Sequence, residues 1–475
     1  MVASVAARAI APPVSYIDRI KPSTTATINA LLAGGSRWWH SAGGDGSTPS
    51  AVATHSIDFS FMSSASGNDG LGFAGLNGTQ QNYVRAALAY ISTMANISFN
   101  EVGAGSGEVQ IGSNSQPKSA GYARYPNDPG GGQVFLANDQ SSFTANGGDW
   151  SPGSYEFMTI VHEVSHALGL KHPGNYNAGG GSTPGPYLSK ALDNRGNTIM
   201  SYYDAANSKT ISYSNGQFTT GTVNPLGYGA FDIAALQYLY GAATPNSGQT
   251  YSWNTDQKFF QTLWDPTGQS TIDLSNQTKN NVVDLRAGRT SSIAIRDAYA
   301  DMGMTAAEYA KLTTTVNGRT VKLSSVIGRP TYTGANNLTI AAGSQIDAVV
   351  GGSGSDTIIT NQYADTVATG DGTDQVFLTG TTAGLDGTTI DGGDGTDTLY
   401  VRKVAGYTWG FDGSTLTFSK AATRTQSAQQ IAQVAVQNIE SIKYWNGNAY
   451  TALRGAAVYT APAAPVAGAR VSQVA

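Results

Sequence analysis

Apolar residues recur at helical spacing through "TQQNYVRAALAYISTMANISF": Val84, Leu88, Ile91 and Met94 share one face, and "ISFNEV" behind them reads as a strand. A glycine-rich loop, "YPNDPGGG", leads into "QVFLAND", whose β-branched and aromatic content predicts a short strand. "SPGSYEFMTIVHEVSHALGL" predicts a second helix, capped by Ser151, with Pro152 at its first position and Phe157, Ile160, Val161, Val164 and Leu168 as the buried stripe. "FDIAALQYLYG" predicts a third, facing a core with Ile233, Leu236, Leu239 and Tyr240 and stopped by Gly241. Near residue 245 the texture changes. Apolar runs shorten to strand length, as in "STIDLS" and "NNVVDLRAG", and Gly, Asn and Asp punctuate them. "TAAEYAKL" and "SAQQIAQVA" are the helical patterns of that half. The pattern thus predicts an α+β domain over 26–245 and an all-β domain over 246–475. A leader or propeptide-like segment over 1–25 precedes them; its apolar run is interrupted by Arg8 and too short for an ordinary export signal.

Composition narrows the chemistry. The 27 basic and 32 acidic residues leave a net charge near -5, which offers no footprint for nucleic acid. With no cysteine, disulfides, thiolate metal sites and a cysteine nucleophile are excluded, so any metal must be held by His, carboxylate or Tyr. No run of ~18 apolar residues predicts a membrane-spanning helix.

The β half carries an internal repeat. "GGSGSDTII" (Gly351, Gly352, Gly354, Asp356) and "GGDGTDTLY" (Gly392, Gly393, Gly395, Asp397) fit the nonapeptide G-G-x-G-x-D-x-U-x at every defined position. "TGDGTDQVF" keeps Gly370, Gly372 and Asp374, and "TNQYADTVA" keeps Asp365 and Val367. Glycines permit a turn whose carbonyls face a cation, Asp adds a hard anionic oxygen, and the apolar U residue points into a parallel β-roll. Oxygen-rich turns of this kind suit Ca2+. The plainer reading, a set of Asp-Gly hairpin turns, leaves the two complete copies to chance.

Three of the five histidines fall within "VHEVSHALGLKHPGNYN". On a helix His162 and His166 project from one face and can reach a common ion. Gly169 can end that helix in a left-handed turn and bring His172 to the same point. Three neutral imidazoles leave an open position on Zn2+, and Glu163 can reach a water there without binding the metal, as a general base should. The extended spacing H-E-x-x-H-x-x-G-x-x-H is far more restrictive than H-E-x-x-H alone.

"HEVSHALGLKHPGNYN" resembles the metzincin zinc proteases and, within them, the serralysins, secreted bacterial proteases with a calcium-binding β-roll. "QQNYVRAALAYISTMANISFNEV", "NTIMSYYD", "DIAALQYLYGA" and "WDPTGQSTIDLS" look like serralysin counterparts in the expected order, covering with the nonapeptides about residues 28–400. The resemblance implies a metzincin-like protease domain followed by a parallel β-roll or β-sandwich-like domain. It makes Met200 a structural residue beneath the metal, and Tyr202 a zinc ligand at rest or a donor to the oxyanion. It also implies that "GGGQVFLAND" is an edge strand pairing with extended protein or peptide substrates. A proteinaceous inhibitor, type I secretion machinery, an extracellular location and a monomeric state follow from the same likeness. Ser270 in "WDPTGQST" departs from the family's Asp, which puts a calcium site beside Asp265 in doubt, and the stretch from about Lys403 does not look like the usual serralysin terminus. A calcium-binding cell-surface or surface-layer protein with a silent protease scaffold is the alternative; intact Glu163 and three histidines argue against it. A zinc hydrolase of non-peptide bonds is a third reading.

Overall fold

The computed structural model describes residues 15–19, 21–34, 36–40, 55–140, 148–178, 180–246, 248–380, 382–402, 407–420, 422–423, 426–445 and 449–452. The expected leader therefore lies outside the described residues except for its end, where Ser15–Arg19 pairs antiparallel with Ser36–His40. The chain divides into two compact units, one of Met1–Thr210, Thr220–Pro245 and Phe259–Trp264, the other of Ile211–Thr219, Asn246–Lys258 and Asp265–Ala475. Among the described residues no helix is long and apolar enough to cross a membrane.

The first unit is built on a five-stranded sheet in the order Ile97–Glu101, His55–Phe61, Val109–Asn114, Gln133–Ala137 and Gly121–Ala123. Its strands run parallel except the last, which is antiparallel to Gln133–Ala137. Gln133–Ala137 is thus an inner strand, and the edge is Gly121–Ala123, correcting the expectation for "GGGQVFLAND". An almost wholly buried run, Val134 to Ala137, suits a strand with neighbours on both sides. The helix Gly78–Met94 begins with a reciprocal cap between Asn77 and Gln80 and buries Val84, Leu88 and Ile91 as its periodicity predicts.

The next helix runs Tyr155–Ala167 and is capped by Ser154, which accepts from Phe157 N at 2.9 Å. Ser151 is not the cap: Gly153, at φ +95°, breaks the helical path behind Pro152, and Ser151 turns instead to Asp149. Every residue from Glu156 to Ala167 is buried, so the helix passes through the core of its unit and anything polar on it must be functional or partnered. The third helix, Ala230–Tyr240, ends at Gly241 as read.

In the second unit the chain winds between two sheets. One orders Thr271–Asp273, Ala348–Val350, Thr366–Ala368, Thr388–Asp391 and Gln429–Gln437 in parallel, and the other does so with Val282–Asp284, Thr357–Ile359, Gln375–Leu378, Thr398–Val401 and Ser441–Trp445. The middle residues Ile272, Val349, Val367 and Ile390, and Val283, Ile358, Val376 and Leu399, are at most 2% exposed and form the core. Glycine is obligatory where turns stack: at Gly393, φ +73°, a Cβ would meet Gly370 O at 2.0 Å. "SAQQIAQVA" is a strand, not a helix. Ala432, Val434 and Val436 are buried while the residues between them are exposed, a period of two that tertiary pairing enforces.

Candidate metal centre and cleft

His162 and His166 stand one turn apart on the buried helix. The chain then leaves it at Gly169, whose φ of +104° and approach to Ser36 O, 2.1 Å from where a Cβ would sit, admit glycine alone. That turn returns His172 to the other two. Each Nδ1 faces a main-chain carbonyl: His162 to Ile199 O at 2.8 Å, His166 to Leu170 O at 2.7 Å, His172 to Tyr176 O at 3.1 Å. A carbonyl can only accept, so each Nδ1 carries the proton and each Nε2 presents a lone pair. The Nε2 of His172 lies 3.2 Å from that of His162 and 3.1 Å from that of His166. Three lone pairs this close repel one another unless a cation lies among them, and tetrahedral zinc sets its nitrogens about 3.3 Å apart. Among the described residues they are the one such set of three His or carboxylate groups. Burial holds His162 down to about 3, His166 down to about 4 and His172 lower still, so all three are neutral ligands.

Glu163 is 6% exposed, and its Oε2 has no partner. Burial alone pushes it up to about 8, and a cation beside it would favour the ionised form. Tyr202, 39% exposed, packs its ring 4.5 Å from that of His172, and its hydroxyl accepts from Ala178 N at 3.1 Å, leaving its own proton to donate. Met200 is fully buried, next to the Ile199 carbonyl that fixes His162. Two lobes of a cleft, of about 320 and 390 Å³, flank Glu163 and share Lys118, Gly121 and Tyr202. The edge strand borders both. Because Ala137 N donates to Ala120 O and Arg124 N to Gln133 O, the alternate residues Gly121 and Ala123 turn their main-chain groups away from the sheet, toward the open edge.

Sequence reasoning missed Asp232. It is fully buried, accepts from Thr198 Oγ1, from Ile199 N at 2.8 Å and from Gly229 N at 2.9 Å, and so ties the turn before Met200 to the third helix. Burial pushes its carboxyl up to about 7 against the pull of these donors. An acid without a basic partner in the otherwise apolar "FDIAALQ" was the available signal. Asp232→Ala is expected to destabilise the chain by about 3–5 kcal/mol, by stranding buried donors, and to weaken zinc binding about tenfold through Ile199 O and His162. Denaturant melts and metal titration measure the two effects; an unchanged zinc affinity would limit Asp232 to the fold.

The nonapeptide aspartates occupy two columns. Asp356, Asp374 and Asp397 precede strands of one sheet and form a ladder: Asn281 N donates to Asp356 Oδ1 (2.8 Å), Asp356 N to Asp374 Oδ1 (2.7 Å), Asp374 N to Asp397 Oδ1 (2.8 Å) and Asp397 N to Glu440 Oε2 (2.6 Å). Asp365 precedes a strand of the other sheet and belongs with Asp347. Oxygens of Asp347, Asp365, Asp374 and Asp397 are buried without partners among the described residues. Asp265 differs. Thr267 N and Oγ1 occupy its Oδ1, and the hydroxyls of Tyr251 and Ser270 occupy its Oδ2.

Three neutral imidazoles with converging lone pairs are the ligand set that zinc takes. The chain is similar to a serralysin of Proteus mirabilis, 34% identical over 247 residues (46% of this chain and 48% of that protein), and to a metalloprotease AprA of Pseudomonas entomophila, 31% identical over 300 residues (58% and 59%). It is also 31% identical over 264 residues to a serralysin C of Dickeya chrysanthemi (50% and 52%). No family model matches the chain. The chain spans about half the length of the curated relatives it matches, and over that half it is similar to these serralysins and metalloproteases.

Proposed function

We propose that the chain is a secreted zinc-dependent endopeptidase that hydrolyses extracellular proteins. The observation that carries this reading is the convergence of three Nε2 lone pairs beside an unpartnered Glu163, under an open sheet edge. His162, His166 and His172 would hold zinc, which when bound supplies a Lewis acid that polarises water and the scissile carbonyl. An extended peptide lies along Gly121–Ala123 and bonds to its outward main-chain groups. Glu163 takes a proton from the attacking water and delivers it to the leaving amine. Tyr202 donates to the oxyanion that develops at the carbonyl. In the second unit the aspartate columns, with Gly351, Gly352, Gly354, Gly370, Gly372, Gly392, Gly393 and Gly395 in the turns, hold calcium, and type I machinery exports the chain.

Zinc content and casein hydrolysis of the purified protein test the reading: about one zinc per chain, and activity lost on chelation and restored by zinc, are expected. A zinc-loaded protein inert toward casein would favour the silent-scaffold alternative. Tyr202→Phe is expected to fold normally and to lower kcat roughly a hundredfold with little change in KM, because the lost donor acts in the transition state. An unchanged kcat would make Tyr202 a bystander.

A further inference from the structure

The smaller lobe of the cleft carries a charge arrangement that hydrolysis does not use. Its walls are Met158, Thr159 and Ile199 with Arg195 and Lys118 at the sides, and Glu163 is the one carboxylate among the residues lining it. Arg195 Nε donates to Ser201 O at 3.2 Å and Nη1 to Asp204 Oδ1 at 2.9 Å, which hold the guanidinium with 18% of its side chain exposed. Its Nη2 has no partner among the described residues. Nor does the ammonium of Lys118, an exposed side chain that forms no ion pair among them. The other lobe has the opposite balance, with Asp128 and Glu163 against Lys118 among its lining residues. Two donors of positive charge with free valences thus border one lobe beside the reacting centre.

We infer that this lobe selects a substrate residue with an acidic side chain next to the scissile bond, Arg195 and Lys118 being the specificity-determining residues. The inference rests on the endopeptidase reading. Arg195 is held by Ser201 and Asp204, so its free N–H points from a fixed position and costs little further ordering when a carboxylate arrives. Lys118, on the edge-strand side, supplies a mobile second charge. A glutamine isostere keeps the shape of the residue and loses the charge, so the preference is electrostatic and falls with salt.

Internally quenched peptides with amidated ends, differing by Glu, Gln or Lys at the positions flanking the bond, test this on the zinc-loaded full chain. Wild type is expected to show kcat/KM about five- to tenfold higher for Glu than for Gln at one flanking position, shrinking at high salt. In Lys118→Glu that ratio is expected to fall to about one or below and the lysine peptide to gain. Equal rates for Glu and Gln in wild type, or an unchanged ratio in Lys118→Glu, would overturn the inference while leaving the endopeptidase intact. A preference that emerges only when the same peptides carry a free C-terminal carboxylate would also overturn it. If casein and every peptide stay uncut, the endopeptidase reading falls and takes the inference with it.

Discussion

Glu163→Ala is expected to keep its zinc and lose casein hydrolysis by about 10² to 10⁴. The three ligands do not depend on Glu163 for their orientation, since each Nδ1 is fixed by the carbonyl of Ile199, Leu170 or Tyr176. Removing the carboxyl should therefore leave the lone pairs converging. What disappears is the one carboxylate oxygen among the cleft's described lining residues that is buried without a partner, on the helix position adjoining His162 and beneath Gly121 of the edge strand, where a Cβ would stand 2.8 Å from Glu163 Cγ. On the proposed reading, a peptide along that strand would pass beside the carboxylate, where a proton can move from water to the leaving amine. Zinc per chain and casein turnover, measured on the same preparation, separate the effects. Full activity with bound zinc would sink the assignment of Glu163 as base, whereas a drop accompanied by zinc loss would report on the ligands instead.

The histidine cluster was legible because it is local. His162, Glu163 and His166 lie within one turn of a helix whose apolar stripe the sequence displays, and Gly169 marks where the chain must turn back. Asp232, Lys118 and Arg195 were not, because their partners are set by tertiary packing: Asp232 reaches Thr198 from 34 residues away. The sheet's outermost strand was misplaced for a related reason. "QVFLA" has the stronger strand composition, but which strand ends a sheet depends on pairing order, which composition does not encode. In the second unit the glycine-aspartate turns announced themselves, whereas the rung at Glu440 did not, since its turn "QNIES" contains no glycine; only the pairing of Thr398 with Ser441 puts it in the ladder.

Calcium should control the second unit, in a pH-dependent way. Burial raises the carboxyls of Asp356 and Asp397, takes Asp374 up to about 6 and Asp365 up to about 8. A carboxyl whose folded pKa lies above its unfolded value near ~3.9 stabilises the fold while protonated; that contribution is complete below ~pH 4 and is lost as pH rises through the folded pKa. In calcium-depleted buffer the β signal in circular dichroism should therefore melt at progressively lower temperature between about pH 4 and pH 8, Asp374 acting over the lower part of the window and Asp365 over all of it. Calcium is expected to reverse the sign, because on the proposed reading it would bind the ionised carboxylates and the unpartnered oxygens. At a hundredfold excess over its dissociation constant each site adds about 2.7 kcal/mol, or roughly 5–10 °C in melting temperature at pH 8. Asp365→Asn should flatten the calcium-free pH dependence and remove one step of the calcium response. The low free calcium of a bacterial cytoplasm would then leave this unit loose enough to thread a secretion channel, and millimolar calcium outside would close it. Melting temperatures at pH 8 that ignore calcium, or a calcium-free unit indifferent to pH from 4 to 8, would reduce the columns to hydrogen-bonded turns and take away the physical basis for calcium-driven folding after export.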